Sequence, residues 1–177
     1  MKARLGISEC LLGRNVRYDG GHRLDRFLVD MLGQYVQYVP VCPEKECGFG
    51  VPREAMRLLG DPNAPCLVTI NTNINHTDRM RKWVAWQVRE LESKGLCGFV
   101  FKSRSPSCGM EGVTVYDRDG ASSSQGVGLF AKAFMEHFPL LPVEEDERLH
   151  DPLFREDFFA RIFCHHPLRA LSRLPLI

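Results

Sequence analysis

The chain is short of long apolar runs. No segment of its 177 residues approaches the about 18 apolar residues a membrane helix needs, so no membrane association is expected. Charge of one sign is missing too. There are 23 Lys and Arg against 22 Asp and Glu, a formal net charge of +1. That balance removes any global pull toward nucleic acid or an anionic membrane. A disulfide framework is also lacking. The seven cysteines are an odd number without regular spacing, which argues against a stapled secreted scaffold. The opening "MKARLGISEC" has a basic start but only a short apolar segment, and reads as a first strand rather than a leader. A cytoplasmic location with reduced thiols is the expectation.

What is present is ordinary globular composition, 44% hydrophobic and 25% charged. A chain of this length buries roughly 70% of its unfolded surface, enough for one core without staples. One domain with an appended tail is expected.

"RLGISECLLG" is an apolar run that ends at Cys10 and a glycine turn, as a buried strand entering a loop does. Residues 22–33 place Leu24, Phe27, Leu28 and Met31 at helical spacing, with Gly33 at the C-cap position. "YVQYVPVC" reads as a second strand and "CLVTIN" as a third. Residues 77–94 form the clearest helix. Thr77 is placed to cap it, Met80, Trp83, Val84, Val88 and Leu91 make its buried stripe, and Gly95 stops it. "LCGFVFK" is a fourth strand, "GVTVYDRDG" a fifth strand or hairpin arm, "SSQGVGLFAKAFMEHF" a glycine-entered helix, and "LLPVEED" a last strand.

Strands alternating with helices predict an α/β fold: a largely parallel sheet with helices on both faces. Ligands of such sheets bind outside the carboxyl ends of the strands. Cys10, Cys42 and Cys108 each follow a strand-like run, so a parallel sheet places all three loops at one edge. Three converging thiolates suit zinc or an iron–sulfur cluster. Unrelated single cysteines are the plainer explanation. Cys66 and Cys97 read as strand-start or core residues. Cys164 stands in "CHH" with His165 and His166, whose adjacency does not build one tetrahedral site.

Four motifs stand in order: "SECLLGRNVRYDGGH", "VPVCPE", "GVPRE" and "KSRSPSCG". Together, over roughly residues 3–143, the chain resembles the thiouracil desulfidase family. The resemblance implies a Rossmann-like α/β domain over residues 1–145. It also implies a [4Fe-4S] cluster held by Cys10, Cys42 and Cys108, whose fourth iron takes the substrate's sulfur. The implied reaction removes sulfur from a thiolated pyrimidine (2-thiouracil, 4-thiouracil or 4-thiouridine) as hydrogen sulfide. Its net form is a hydrolysis.

The same resemblance singles out Glu44 and Ser105 as catalytic candidates, and Arg17, Tyr18, Asp19 and Ser107 as candidates for the substrate pocket. Glu44 serves in proton transfer, or it forms an ion pair with Arg53 or an N-cap. Ser105 and Ser107 hydrogen-bond the pyrimidine, or they simply shape the turn around Pro106. Asp19 before two glycines is equally a turn residue. Cys47 departs from the family's pattern. Its C-x4-C spacing from Cys42 makes it a possible fourth ligand, which would close the cluster and leave a structural or sensing role. A zinc–thiolate protein with such a role, or an RNA-binding module for thiolated tRNA, would also accommodate these residues.

Residues 146–177 read as a helical tail, a remnant of the C-terminal domain that larger relatives carry. Phe154, Phe158, Phe159, Ile162 and Phe163 give it an apolar face. That face docks on the core or on a second copy, making a homodimer one expectation. Such two-domain relatives are associated with 4-thiouridine, free or in tRNA, but the balanced charge gives a tRNA partner no electrostatic support. Arg79, Arg81, Lys82 and Arg89 on the long helix are candidates for a phosphate, or a solvated face.

Overall fold

The computed structural model describes residues 2–171, with side chains as far as Cys164. In chain order its elements are β1 (Ala3–Ser8), β2 (Val36–Val41), β3 (Met56–Leu59), β4 (Cys66–Thr69), α1 (Thr77–Glu92), β5 (Leu96–Phe101), β6 (Val113–Tyr116), β7 (Ser122–Gly126), α2 (Leu129–His137), β8 (Val143–Glu145) and α3 (Pro152–Leu171). Among the described residues no helix is long and apolar enough to cross a membrane.

The fold is α/β, as the alternation predicts. β2, β1, β5 and β8 form a four-stranded sheet in that order, and every pairing in it is parallel. β5 is buried along its whole length, which is why "LCGFVF" is continuously apolar instead of alternating. Phe99 and Phe101 face a core shared with α1 and α2. Cys97 and Val100 face a second core that holds Leu28, Leu32, Phe158 and Ile162. Helical segments thus cover both faces of this sheet.

A second, mixed sheet in the order β4-β3-β6-β7 lies outside that expectation. β3 pairs antiparallel with β4 and parallel with β6, and β6 pairs antiparallel with β7. β3 is only four residues long and follows a Pro- and Gly-rich loop, so it leaves little local signal. The helix expected over "SSQGVGLFAKAFMEHF" is shorter than its pattern. Ser122–Gly126 is the return arm of the β6 hairpin, and the helix begins at Leu129 after Gly128.

Residues 22–33 also differ. The backbone N–H groups of Arg23 and Asp25 donate to the carbonyls of Cys10 and Leu11, both at 2.9 Å. These bonds hold the segment against the first cysteine loop instead of in a helix. A wide helical turn (Phe27–Met31) and a tight one (Leu32–Gln34) follow. Of the four residues on the expected face only Leu28 is fully buried, and Met31 is 56% exposed. Gly33 lies inside the tight turn. Helix α1 ends at Glu92, two residues early, with Met80, Val84, Val88 and Leu91 buried. Thr77 does not cap it: its hydroxyl accepts from Leu67 N–H at 2.8 Å, while Asn75 Oδ1 accepts from Thr77 N–H at 2.9 Å.

The tail helix packs on this chain's own core. Phe158 and Ile162 are fully buried, and Phe154 and Phe163 remain partly exposed. Gly98 makes the contact possible. A Cβ there would fall 2.7 Å from Ile162 Cγ2 and from Pro142 O. The side chains of His165 and His166 lie outside the described residues.

Candidate functional site

Three neighbouring strands deliver the site. β1 runs into a helical turn (Glu9–Leu12) that contains Cys10. β2 ends one residue before Cys42. β5 leads through Lys102 into the loop that bears Cys108. Because β2, β1 and β5 are adjacent and parallel, all three loops leave from one edge. They enclose a cavity of about 480 Å³. Cys10, Cys42 and Cys108 line it, as do Glu44, Ser105 and Ser107, together with Arg17 and Tyr18.

Cys47 and Asp19 do not line this cavity. Cys47 is buried in the core that α1 and α2 share, within reach of the Arg79 guanidinium. Asp19 shapes a turn: its Oδ1 accepts from Gly21 N–H at 2.9 Å and stands 3.6 Å from Arg17 Nε. That hydrogen bond, ahead of the Arg17 charge, holds the Asp19 carboxyl below its usual range. Arg79, Arg81, Lys82 and Arg89 are exposed on α1, and none of them lines the cavity.

The three thiols are free and share an environment. Burial is the main cause of every shift among them. It pushes Cys10 up to about 11, with the Cys42 charge adding and Arg17 and Lys102 opposing. It pushes Cys42 up to about 11 against the lowering effect of the Lys45 N–H. Cys108, only 5% exposed, is pushed up most, with the Ser8 hydroxyl opposing and both other cysteines adding. The thiols therefore lie within electrostatic reach of one another. Yet among the described residues no three His, Cys, Asp or Glu side chains close on a single-ion position. Three thiols around one cavity are a donor set that an iron–sulfur group takes.

This burial has a consequence for the metal-free chain. The ordinary thiol value is 9.0, and the folded values of Cys10 and Cys42 lie above it. Their contribution to stability is complete below about pH 9 and is lost as pH rises toward 11. We expect the urea midpoint of the metal-free protein to fall between about pH 8 and about pH 10.5. The fall should be smaller in a Cys10→Ala, Cys42→Ala double variant. An equal fall in both proteins would assign it to other groups.

Glu44 sits between two partners. Arg53 donates to its Oε2 from Nε at 2.9 Å and from Nη2 at 2.6 Å. Arg53 also donates to the carbonyls of Val16 and Gly50. The ion pair expected as one role for Glu44 is thus formed. Ser107 Oγ donates to the other oxygen, Oε1, at 2.9 Å. With that hydrogen committed, Ser105 is the donor in the 3.1 Å contact between Ser105 Oγ and Ser107 Oγ. Ser105 Oγ in turn accepts from the N–H groups of Ser107 and Cys108. The result is a hydrogen-bonded row, Ser105 to Ser107 to Glu44, running beside Cys108.

The start of α2 holds this loop. Leu129 N–H donates to Pro106 O, and Phe130 N–H donates to Ser107 O at 2.9 Å. Gly128 lets the helix come this close, because a Cβ there would fall 2.5 Å from Ser107 C and 2.7 Å from Cys108 N. Neither backbone position yields easily. Gly128→Ala should cost about 1–3 kcal/mol and displace Cys108, read as a lower denaturant midpoint together with weaker metal uptake. Unchanged stability would contradict the close packing.

Lys102 lines the cavity and pairs with Asp146, and neither stands out in the sequence. Lys102 is inside "KSRSPSCG", but Asp146 lies 44 positions away, and only the fold brings them together.

Three thiols at the carboxyl edge of a parallel sheet, faced by a carboxylate and two serines, mark the candidate site of this α/β protein. The 2-thiouracil desulfurase family matches residues 5–146, and the chain belongs to that family. Among solved structures it is similar to the [4Fe-4S]-dependent thiouracil desulfidase TudS. The two are 26% identical, with a TM-score of 0.68 over 84% of this chain and 94% of that one. None of the curated proteins matches the chain.

Proposed function

We propose that this chain is an iron–sulfur-dependent desulfidase that converts a thiolated pyrimidine and water to the oxo-pyrimidine and hydrogen sulfide. The observation that carries the reading is the convergence of Cys10, Cys42 and Cys108 on one cavity beside Glu44. Family membership and the likeness to TudS support it. The three cysteines would hold a [4Fe-4S] cluster through deprotonated sulfurs, so loading releases protons and is favoured by rising pH. When bound, the cluster supplies a soft Lewis-acid iron for the substrate's sulfur.

The chain's own residues do the rest. Glu44 takes a proton from the attacking water. Arg53 holds its carboxylate in place through two hydrogen bonds. Ser107 and Ser105 extend the hydrogen-bonded row along which a proton moves toward the departing sulfur. Arg17, whose guanidinium lies 5.2 Å over the Tyr18 ring, forms the wall against which the pyrimidine or its nucleoside rests. A closed cluster would need a fourth ligand, and Cys47 does not line the cavity.

The test is anaerobic reconstitution, then iron and sulfide analysis, then sulfide release from 2-thiouracil, 4-thiouracil and 4-thiouridine. About four irons per chain with release from at least one substrate is the expected outcome. Zinc alone, or a full cluster with no release from any of the three, would overturn the reading.

A further inference from the structure

Lys102 enters the cavity wall, and its side chain is only 15% exposed. Its Nζ donates to Asp146 Oδ2 at 2.9 Å and to Ser103 Oγ at 2.8 Å. Asp146, itself buried, uses its other oxygen to accept from Ser103 N–H at 2.7 Å. The backbone N–H of Lys102 donates to Ser8 Oγ at 2.9 Å. Asp146 N–H donates to Phe101 O at 3.0 Å. The carboxyl ends of β1, β5 and β8 are therefore tied together at one charged pair.

The residues around Asp146 extend the tie. Glu145 Oε1 accepts from Met110 N–H at 2.7 Å, Arg104 pairs with Glu147 at 2.7 Å, and Arg148 pairs with Glu111 at 2.9 Å. Four consecutive residues, 145–148, each grip the loop that bears Cys108. The outer pairs are exposed and contribute little. The Lys102–Asp146 pair is different. Removing two charges from water is costly unless every partner is in place, and apolar residues would tie the strands at lower cost. What the pair adds is a fixed ammonium that acts on Cys10, with the Asp146 carboxylate acting there in the opposite sense. A cluster on three thiolates carries net negative charge, and nearby charge sets its potential.

We propose that Asp146 is a positioning residue for the cysteine site: it aims the Lys102 ammonium at the Cys10 side of the cavity and pins the turn that leads to Cys108. The inference rests on the three cysteines being the cluster's ligands.

The test uses the full chain and four variants: Lys102→Met, Lys102→Arg, Asp146→Asn, and the Asp146→Asn, Lys102→Met double variant. Three quantities are read: the midpoint potential of the reconstituted cluster, the rate of iron loss to a chelator, and amide exchange over residues 103–110 in the metal-free protein. Lys102→Met should shift the potential negative and speed iron loss several-fold, and Lys102→Arg should restore both toward the parent. Asp146→Asn also removes a charge of opposite sign that itself acts on Cys10, so its shift should be less positive in the parent than in the Lys102→Met background, where no ammonium is left to aim. It should also speed exchange of the Ser103 amide. A parent-like potential in Lys102→Met, or additive shifts in the double variant, would overturn the inference while leaving the desulfidase reading intact. A parent protein that takes up no iron overturns both. Unchanged Ser103 exchange sinks the pinning role without reference to metal. Should Asp146→Asn fail to fold by circular dichroism, the contrast between Lys102→Met and Lys102→Arg still decides the electrostatic role.

Discussion

Cys108→Ser yields a folded protein that holds no intact cluster and releases no sulfide. Serine's oxygen is a hard donor, and iron–sulfur clusters are held by thiolates. Its shorter bond also draws the donor back into a loop that α2 and Gly128 hold in place. Cys10→Ser and Cys42→Ser behave alike, since each removes one of three thiols at the same edge. Cys47→Ser is the contrasting case. Its side chain lies in the core near Arg79, so the cluster and activity persist with a modest loss of stability. Iron and sulfide content and the visible spectrum of the four variants check this. Loss of the cluster in Cys47→Ser, with retention in Cys108→Ser, would reverse the ligand assignment.

Glu44→Gln should lower kcat about 10²–10⁴-fold, the usual worth of a positioned acid–base group, while iron content stays at the parent level. The amide keeps an acceptor for Ser107 but has no charge to set against Arg53. Arg53 is 7% exposed and Glu44 13%. Breaking such a buried pair is expected to cost about 3–5 kcal/mol, so thermal unfolding must be measured beside activity. A stable, fully loaded Glu44→Gln enzyme with parent-like kcat would show that the carboxylate only anchors Arg53. A fall in kcat at unchanged loading assigns the proton step to Glu44.

Legibility from sequence follows the range of the interactions. β5 and α1 announce themselves because a continuous apolar run and a helical stripe are local patterns. Cys10, Cys42 and Cys108 are readable as strand-end residues for the same reason. The segment at 22–33 carries a helical pattern that its bonds to Cys10 and Leu11 override. β7 is polar, and its strand state comes from pairing with β6. Lys102 and Asp146 carry no pattern relating them, since neither local propensity nor spacing reports contact between the ends of β5 and β8.

The sequence by itself determined the α/β class, the thiols that follow strands, and the presence of Glu44, Ser105 and Ser107 close to them in the chain. Those rest on short-range periodicity and turn chemistry. Tertiary structure decided that β2, β1 and β5 are neighbours, that Cys47 is buried in the core, that Arg53 and Ser107 share Glu44, and that Asp146 reaches Lys102. Strand order and side-chain pairing depend on contacts between residues far apart in the chain, and these take shape only when the sheet assembles.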